Sequence, residues 1–145
     1  MKKYSIGYTT GVFDMFHIGH LNILKRAKEQ CDYLIVGVSV DELVKKYKNK
    51  MPIISFEERK EIVKAIRFVD EVVPQVSMNK MEAWEKLHFN VLFHGSDWKD
   101  SDMYKQLISD FESVGVDVIF FEHTEGVSST QLAQKINGID LYNRK

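Results

Sequence analysis

The chain has 145 residues with 20 basic and 21 acidic side chains, so its formal charge is −1 and no strongly basic face is expected for a nucleic-acid backbone. This length suits a single domain over 1–145, one cysteine cannot form an internal disulfide, and no apolar run approaches the roughly 20 residues that cross a bilayer. Because Met1-Lys2-Lys3 leads into a polar strand rather than an apolar stretch, we expect no signal peptide and a cytoplasmic protein without nucleic-acid or membrane partners.

The first third of the chain predicts two strands and one helix. Alternating residues over Tyr4–Thr10 predict a strand, and apolar residues at helical spacing predict a helix over Ile18–Gln30. The nearly continuous apolar run Tyr33–Val40 is typical of a parallel strand buried on both faces. We interpret the lysine-rich segment Leu43–Ile54 as a loop, after one short helical turn at most.

A second helix is predicted from a capping box, in which Ser55 is followed three residues later by Glu58, so that the helix begins at Phe56. Arg59 and Arg67 lie about two turns apart and are expected on one polar side of this helix. The residues expected to face the sheet are Ile62, Val63, Ile66 and Phe68.

Strands and helices alternate through the rest of the chain. The predicted elements are a strand over Val69–Pro74, a weak helix over Lys80–His88, a strand over Asn90–Gly95, a helix over Met103–Val114 stopped by Gly115, a buried strand over Val116–Phe121 and a helix over Ser128–Ile136. This order predicts an α/β fold with a doubly wound, five-stranded parallel sheet of Rossmann-like type. Its ligand is expected at the carboxyl ends of the strands.

The turn between the first strand and the first helix carries a glycine, a carboxylate and two imidazoles. Gly11 allows a sharp turn, Gly19 leaves room for a phosphate group, and a helix N-terminus favours anions. His17 and His20 are three residues apart, so both rings can face one ligand and donate N–H bonds that strengthen in a phosphoryl-transfer transition state. The alternatives are a chance pair of histidines or a zinc pair, which lacks a third ligand nearby. Asp14 is expected to accept bonds from backbone N–H groups and so to organise the turn.

Two motifs carry a resemblance to a known family. The stretch Gly11–His20, which ends in His17-Ile18-Gly19-His20, resembles G-x-F-D-x-x-H-x-G-H, and the stretch His123–Thr130 is similar to R-T-E-G-[IV]-S-[ST]. Together they are the signatures of the cytidylyltransferases in the nucleotidylyltransferase superfamily, and the resemblance runs from about Ile6 to about Ile136. Class I aminoacyl-tRNA synthetases share the first motif, but they are far larger and carry a K-M-S-K-S stretch that this chain lacks.

The resemblance implies the HxGH nucleotidylyltransferase fold and transfer of a cytidylyl group from CTP to a small phosphorylated alcohol. Glycerol 3-phosphate is the acceptor of the members most similar to this chain. Phosphocholine and phosphoethanolamine are alternative acceptors, and adenylyl transfer is an alternative reaction. A non-catalytic nucleotide-binding domain is a further alternative, which the intact pair of histidines disfavours.

The resemblance also implies roles for individual residues, against the plain alternative that the lysines and arginines are solvated surface groups. The catalytic candidates are His17, His20 and Lys48, with Lys46 as a substitute because the register of this segment is open. The candidates for the acceptor substrate are Lys48, Arg59 and Lys80. The candidates for the nucleotide are Gly11, Val12, Phe13, His17, Ile18, Gly19, His20, Lys50, Arg67, Asp97, Trp98, His123, Thr124, Glu125, Gly126, Val127, Ser128, Ser129 and Thr130.

His123 departs from the family pattern, which has an arginine at this position. An imidazole is only partly charged near neutrality, so the triphosphate contact is expected to depend on pH. The resemblance further implies Mg²⁺ carried in with CTP, no dedicated protein site for a metal, and a homodimer. We interpret His88, His94 and Cys31 as structural.

Overall fold

The fold is built on one five-stranded sheet, in which all neighbouring strands are parallel and follow the order β3-β2-β1-β4-β5. The computed structural model describes residues 2–95, 102–122 and 129–138. The strands are β1 (Tyr4–Gly11), β2 (Cys31–Ser39), β3 (Glu71–Gln75), β4 (Val91–Gly95) and β5 (Asp117–Phe121). The helices are α1 (Ile18–Gln30), α2 (Asp41–Lys48), α3 (Phe56–Lys64), α4 (Lys80–Leu87), α5 (Asp102–Glu112) and α6 (Ser129–Gly138). The predicted α/β class and five-stranded parallel sheet are confirmed.

Two apolar clusters lie on opposite faces of this sheet, as the doubly wound prediction requires. Alternate residues of β2 divide between them, since Leu34 belongs to one cluster and Ile35 to the other. The first cluster is completed by Leu24 of α1 and Val63 of α3, and the second contains Phe111 of α5 together with apolar residues of α4. The central strands are therefore covered by helices on both sides.

The segment that follows β2 forms α2, so the interpretation of Leu43–Ile54 as a loop was wrong over residues 43–48. Leu43 and Val44 are buried in the core, while acidic residues occupy the first turn of α2 and lysines its last turn. This order of charges complements the helix dipole and stabilises α2. The lysines that suggested a solvated loop therefore favour the end of a helix instead. Asn49 ends the helix in the left-handed conformation, with φ of 55°.

Helix α3 begins at Phe56, as predicted, and Ser55 accepts the backbone N–H of Glu58 as its N-cap. The helix ends at Lys64, which is earlier than the predicted pattern, and Ile62 is 39% exposed rather than facing the sheet. Because α3 ends at Lys64, Arg67 lies in the turn before β3 and not on the polar side of the helix.

The two edge strands are less covered than the sequence suggested. β3 starts at Glu71 rather than Val69, and Pro74 lies within the strand rather than closing it, which an edge strand tolerates because one row of its backbone groups needs no partner. The predicted burial of β5 is wrong in degree, since its apolar residues are only partly buried at the other edge. Gly115 precedes β5 with φ of 78°, a conformation that favours glycine, so its predicted place at the end of α5 is confirmed.

A parallel sheet gathers the carboxyl ends of its strands at one edge, and here these ends are Gly11, Ser39, Gln75 and Gly95. The chain reverses its winding between β1 and β4, so this pair marks the topological switch point where ligands bind in open α/β sheets. Within the described ranges, no helix combines the length and the apolarity needed to cross a bilayer.

Candidate active site

The loop between β1 and α1 leaves the sheet at the switch point with an unusual backbone. Phe13 and Met15 both adopt left-handed conformations, with φ of 56° and 49°. Such conformations cost on the order of 1 kcal/mol or more for a residue with a Cβ and persist only where packing holds them. Phe13 is buried and its ring lies beside Phe16 and His20, and a Cβ at Gly11 would come within 3.0 Å of this ring. Gly11 therefore makes room for the aromatic residue that holds the loop.

His17 and His20 form a reciprocal cap at the first turn of α1. The Nδ1 atom of His17 accepts the backbone N–H of Gly19 at 3.1 Å, and the Nδ1 atom of His20 accepts the backbone N–H of His17 at 3.2 Å. The two rings stack with their centroids 3.9 Å apart. This arrangement satisfies two helix N–H groups with imidazoles in place of the usual serine and glutamate.

The cap decides which ring nitrogen carries the proton. Because Nδ1 accepts a bond in both rings, we assign the proton of each neutral imidazole to Nε2. Burial lowers the pKa of His20 to about 3, with a further contribution from His17, and burial also lowers the pKa of His17. Both rings are thus neutral at pH 7. No described residue takes a hydrogen bond from either Nε2–H, so both donors are available to a ligand at the switch point.

Asp14 connects the loop between β1 and α1 (residues 12–17, called the motif loop below) to the segment after α2. Its two carboxylate oxygens accept the backbone N–H groups of Ile53 and Ile54 at 2.8 and 2.9 Å. This is the organising contact that its position in the turn predicted. Lys48 ends α2 near this loop, and its pKa lies below the usual value because burial penalises its charge and Lys50 repels it, while Asp14 acts in the opposite direction. Because the charges of Lys50 and Asp14 both affect the pKa of Lys48, the two lysines and the motif loop belong to the same part of the site.

Arg59 is enclosed within the protein, so the prediction of an exposed arginine on a polar side of its helix is wrong. Its guanidinium donates to the backbone carbonyls of Val12, Ser39 and Ile54 at 2.7–2.8 Å and pairs with the carboxylate of Asp41 at 2.5 Å. The side chain is 0% exposed. Four of its five N–H groups are therefore committed to the protein, which leaves one N–H for the contact with an acceptor phosphate that the resemblance implied. The structure makes Arg59 a clamp between the motif loop, β2 and α3.

Arg67 does not join this group of side chains. It lies four residues before β3, so it is near the amino edge of the sheet, and its guanidinium rests 4.9 Å from the ring centroid of Phe68. The motif loop lies at the carboxyl edge. Within one chain, therefore, Arg67 is not placed to bind a nucleotide at the switch point.

Lys80 opens α4 and lines a cavity between α4 and α5. It is 5% exposed, and burial lowers its pKa to about 8. The cavity has a volume of about 140 Å³ and is also lined by Asn79, Tyr104, Gln106 and Asp110. Lys80 thus lies at the carboxyl edge of the sheet, five residues after the end of β3. This is the edge at which the ligands are expected.

Several predicted residues lie outside the described ranges. These are Asp97, Trp98, His123, Thr124, Glu125, Gly126, Val127 and Ser128. Ser129 and Thr130 begin α6, although only their backbone is described. Val12, Ile18 and Gly19 lie where predicted, in the loop and first turn around the histidines, and the backbone N–H of Gly19 is occupied by His17.

The three residues read as structural have structural surroundings. Cys31 is buried with its thiol against the carbonyl of Ala27 at 3.3 Å, and His88 ends α4 in a left-handed conformation. His94 lies at the end of β4, with its ring 5.0 Å from that of Tyr104.

Sequence reasoning missed Asp41 and Tyr104. Asp41 directly follows a predicted strand, which was read only as the limit of that strand, yet it pairs with Arg59 and also accepts the backbone N–H of Phe56. Tyr104 is 1% exposed, and its pKa is raised by burial, with a smaller contribution from Tyr47, the residue before Lys48. Its signal was an aromatic residue in the first turn of the helix that follows β4.

Comparison with known proteins matches residues 8–135 to the family model described as cytidylyltransferase-like. The glycerol-3-phosphate cytidylyltransferase of Staphylococcus aureus is 36% identical over 91% of this chain and 95% of its own length. An ethanolamine-phosphate cytidylyltransferase of Dictyostelium discoideum is 38% identical over 89% of this chain but only 37% of its own length. An FAD synthase of Pyrococcus abyssi is 43% identical over 74% of this chain and 72% of its own length. Among solved structures, a lipopolysaccharide core biosynthesis protein of Thermoplasma volcanium has a TM-score of 0.69 at 24% identity, covering 83% of this chain and 97% of that one, and supports the fold.

Proposed function

Since this chain belongs to the cytidylyltransferase-like family, we propose that it transfers a cytidylyl group from CTP to glycerol 3-phosphate, giving CDP-glycerol and pyrophosphate. The observation that carries the proposal is the reciprocal cap of His17 and His20. It provides two neutral Nε2–H donors beside a helix N-terminus at the switch point of the sheet, where a triphosphate fits.

In the proposed reaction, a phosphate oxygen of the acceptor attacks the α-phosphorus of CTP and the bond to the leaving pyrophosphate breaks. The attacking phosphate is already ionised at neutral pH, so the site needs no general base. Catalysis then depends on positioning and on stabilising negative charge. The Nε2–H groups of His17 and His20 donate to the phosphate oxygens, and Lys48 supplies positive charge from the end of α2.

The lowered pKa values of the histidines suit this role. A neutral Nε2–H donor stabilises an oxyanion without releasing a proton, and the lowered pKa values favour the neutral form of both rings. The committed Nδ1 atoms also fix both rings in one orientation, so little reorganisation is needed when charge develops.

The remaining nucleotide contacts are proposed from the family resemblance. They comprise Lys50, the pair Asp97 and Trp98 after β4, and the segment from His123 to Thr130 before and at the start of α6. Strand ends and helix starts of this kind supply backbone N–H groups to phosphates. His123 would act there as a cation only when protonated, in place of the arginine of the family motif.

Mg²⁺ is proposed to enter with CTP. Among the described residues no group of three or more histidine, cysteine or carboxylate side chains is arranged to hold a metal ion. Magnesium prefers phosphate oxygens and retained waters to nitrogen ligands, so the lysines and neutral imidazoles of this site suit the triphosphate rather than the ion. When bound on the β- and γ-phosphates, Mg²⁺ would neutralise part of their charge.

A homodimer is also proposed, as the family resemblance implies, in a cytoplasmic protein. The placement of Arg67 gives a physical reason. Since it lies near the amino edge of its own sheet, any contact between Arg67 and a nucleotide would have to be made in the site of a second copy. Analytical ultracentrifugation of the wild type and of Arg67→Ala would show whether a dimer forms and whether Arg67 takes part in it.

The direct test is a pyrophosphate-release assay in which CTP or ATP is combined with glycerol 3-phosphate, phosphocholine or phosphoethanolamine, with FMN and ATP as a further pair. We expect release with CTP and glycerol 3-phosphate above all other pairs. Faster release with ATP and FMN would instead favour the activity named for the relative from Pyrococcus abyssi, and no release with any pair would favour a binding domain without catalysis.

A further inference from the structure

Tyr47 directly precedes Lys48 on α2, and the proposed reaction gives it no role. Its side chain is partly buried. Neighbouring residues of a helix point about 100° apart and do not face each other. The ammonium nitrogen of Lys48 nevertheless lies 5.9 Å from the centroid of the Tyr47 ring. Lys48 therefore folds back over the tyrosine ring instead of extending away from the helix.

The position of Lys48 on α2 explains why such a support is needed. The helix has eight residues and ends at Lys48, after which Asn49 takes a left-handed conformation. Helix ends fray, and a lysine side chain carries roughly 2 kcal/mol of rotamer entropy. The face of a tyrosine ring attracts an ammonium group up to about 6 Å from the centroid. The ring can hold Lys48 in one place only if the ring itself is fixed.

The ring of Tyr47 is fixed by the ends of two strands. Its hydroxyl is hydrogen-bonded to the side chain of Ser39, the last residue of β2. The hydroxyl of Ser39 donates to the side-chain oxygen of Gln75, the last residue of β3, at 2.7 Å. Serine has one hydroxyl proton, which it gives to Gln75, so it accepts the proton of Tyr47. This chain of hydrogen bonds joins the end of α2 to the carboxyl edge of the sheet.

The anchor at the strand ends is buried and bonded on several sides. Ser39 is 1% exposed and Gln75 is 6% exposed. The backbone N–H of Val40 donates to the carbonyl of Gln75 at 3.0 Å, and the guanidinium of Arg59 donates to the carbonyl of Ser39 at 2.7 Å. Hydrogen bonds in such a buried network strengthen one another and limit movement. The support under Lys48 is therefore continuous with the clamp formed by Arg59.

The hydroxyl of Tyr47 keeps its proton in this network. Burial raises the pKa of Tyr47, and the bond with Ser39 and the charge of Arg59 only partly offset this effect. The phenol is thus neutral at pH 7 and remains a donor to Ser39.

We propose that Tyr47 is a positioning residue for cytidylyl transfer, which holds the ammonium group of Lys48 at the motif loop through its bond to Ser39. This inference rests on the proposed function and deepens it. Tyr47 acts through Lys48 and not on the substrate. Because Lys48 is proposed to stabilise charge that develops in the transition state, losing the support should lower kcat rather than raise KM.

The test is a double-mutant cycle between Tyr47→Phe, which removes the hydroxyl and keeps the ring, and Lys48→Met. Both kcat and KM are measured by pyrophosphate release from CTP with glycerol 3-phosphate. We expect Tyr47→Phe to lower kcat roughly fivefold, the scale of one neutral hydrogen bond, with KM unchanged. In the Lys48→Met background the same change should alter kcat less than twofold. Tyr33→Phe removes a hydroxyl that bonds to Glu71 at the amino edge and should leave both constants unchanged.

Equal losses of kcat in both backgrounds would overturn the inference, because Tyr47 would then serve the fold and not Lys48. An unchanged kcat in Tyr47→Phe, or in Lys48→Met alone, would also overturn it. Ser39→Ala breaks the same chain of hydrogen bonds from the other side and should reproduce the loss, so it replaces Tyr47→Phe in the cycle if that variant does not fold.

The position of Lys48 is also measured without turnover. Nuclear Overhauser effects are expected between the ring protons of Tyr47 and the ε-methylene protons of Lys48, and they should weaken in Ser39→Ala, which keeps the ring but removes its anchor. Effects of equal strength in both proteins, or none in the wild type, would contradict the inference. A wild type that releases no pyrophosphate would refute the proposed function and leave this second test in force.

Discussion

Arg59 and Lys80 are both buried cations at the carboxyl edge of the sheet, yet their surroundings are opposite. The guanidinium of Arg59 bonds to three backbone carbonyls and to Asp41, whereas no described residue bonds to the ammonium group of Lys80. A buried charge whose bonds are all satisfied holds the structure together, and its loss leaves other groups unsatisfied. A buried charge without partners weakens the structure and is free to meet a ligand. Arg59 therefore represents the part of the site whose bonds are complete within the protein, and Lys80 the part whose polar group is left for a ligand.

The largest expected effect comes from breaking the clamp. Arg59→Met should lower the free energy of unfolding by about 3 kcal/mol or more, because it leaves Asp41 and three carbonyls without their partner. Urea unfolding followed by circular dichroism measures this loss. Lys64→Met removes an exposed cation from the last turn of the same helix and is the matched control, expected to change stability little. A clamp variant as stable as the control would show that the bonds of Arg59 are not required.

Each of the two histidines has one satisfied and one unsatisfied ring nitrogen. Nδ1 accepts a backbone N–H of the helix, and Nε2–H has no partner among the described residues. Replacing either with alanine should slow pyrophosphate release by roughly 100-fold or more, since a transition-state donor of this kind is worth about 2.7–4 kcal/mol. His88→Asn, at an exposed left-handed position, is the control and should retain activity. Near-normal turnover in His17→Ala or His20→Ala would restrict that histidine to its capping role.

Asp14, like Arg59, forms its hydrogen bonds within the protein, and its loss should have a smaller effect on stability. Asp14→Ala removes two hydrogen bonds from a carboxylate to backbone N–H groups and should cost about 1–2 kcal/mol of stability. It should also lower the pKa of Lys48 further, because Asp14 is the neighbour that raises it. Thermal unfolding and NMR titration of the lysine side chain follow the two effects, with Glu29→Ala on the exposed side of α1 as control. An unchanged pKa of Lys48 would show that the two side chains do not interact in solution.

The smallest effect should have the opposite sign. Lys80→Met should raise the free energy of unfolding by roughly 1 kcal/mol at pH 7, because it removes an unpaired buried charge. The pKa of Lys80 is lowered from 10.5 to about 8, so between these values the unfolded chain binds more protons and wild-type stability should rise with pH. This gain should be absent from Lys80→Met, and its presence in both proteins would assign it to other groups.

The same contrast explains how far the sequence could be read. Periodicity and capping residues located β1, α1 and the start of α3, because these depend on neighbours along the chain. The burial of Arg59 depends on carbonyls of Val12, Ser39 and Ile54, which only the folded chain brings together. The helix α2 was missed because its lysines outweighed the spacing of Leu43, Val44 and Tyr47. Local signals thus fix elements, and long-range bonds decide the role of a charged residue.

The histidine pair and its spacing could be predicted from the sequence, but the positions of the ring protons could not. That assignment needs the two bonds in which Nδ1 accepts a backbone N–H, and these bonds are visible only in the folded first turn of α1. The catalytic account depends on this detail, since a ring protonated on Nδ1 would lose both the cap and the donor at Nε2.

The most direct measurement is therefore NMR of the protein with ¹⁵N-labelled histidine, recorded between pH 4 and 8. Spectra that correlate ring nitrogens with ring protons distinguish the two neutral tautomers from the imidazolium form. The structure predicts that His17 and His20 are neutral with the proton on Nε2 at pH 7, and that His20, with its pKa near 3, remains neutral at pH 4. A proton on Nδ1 in either ring at pH 7, or an imidazolium signal there, would contradict the account.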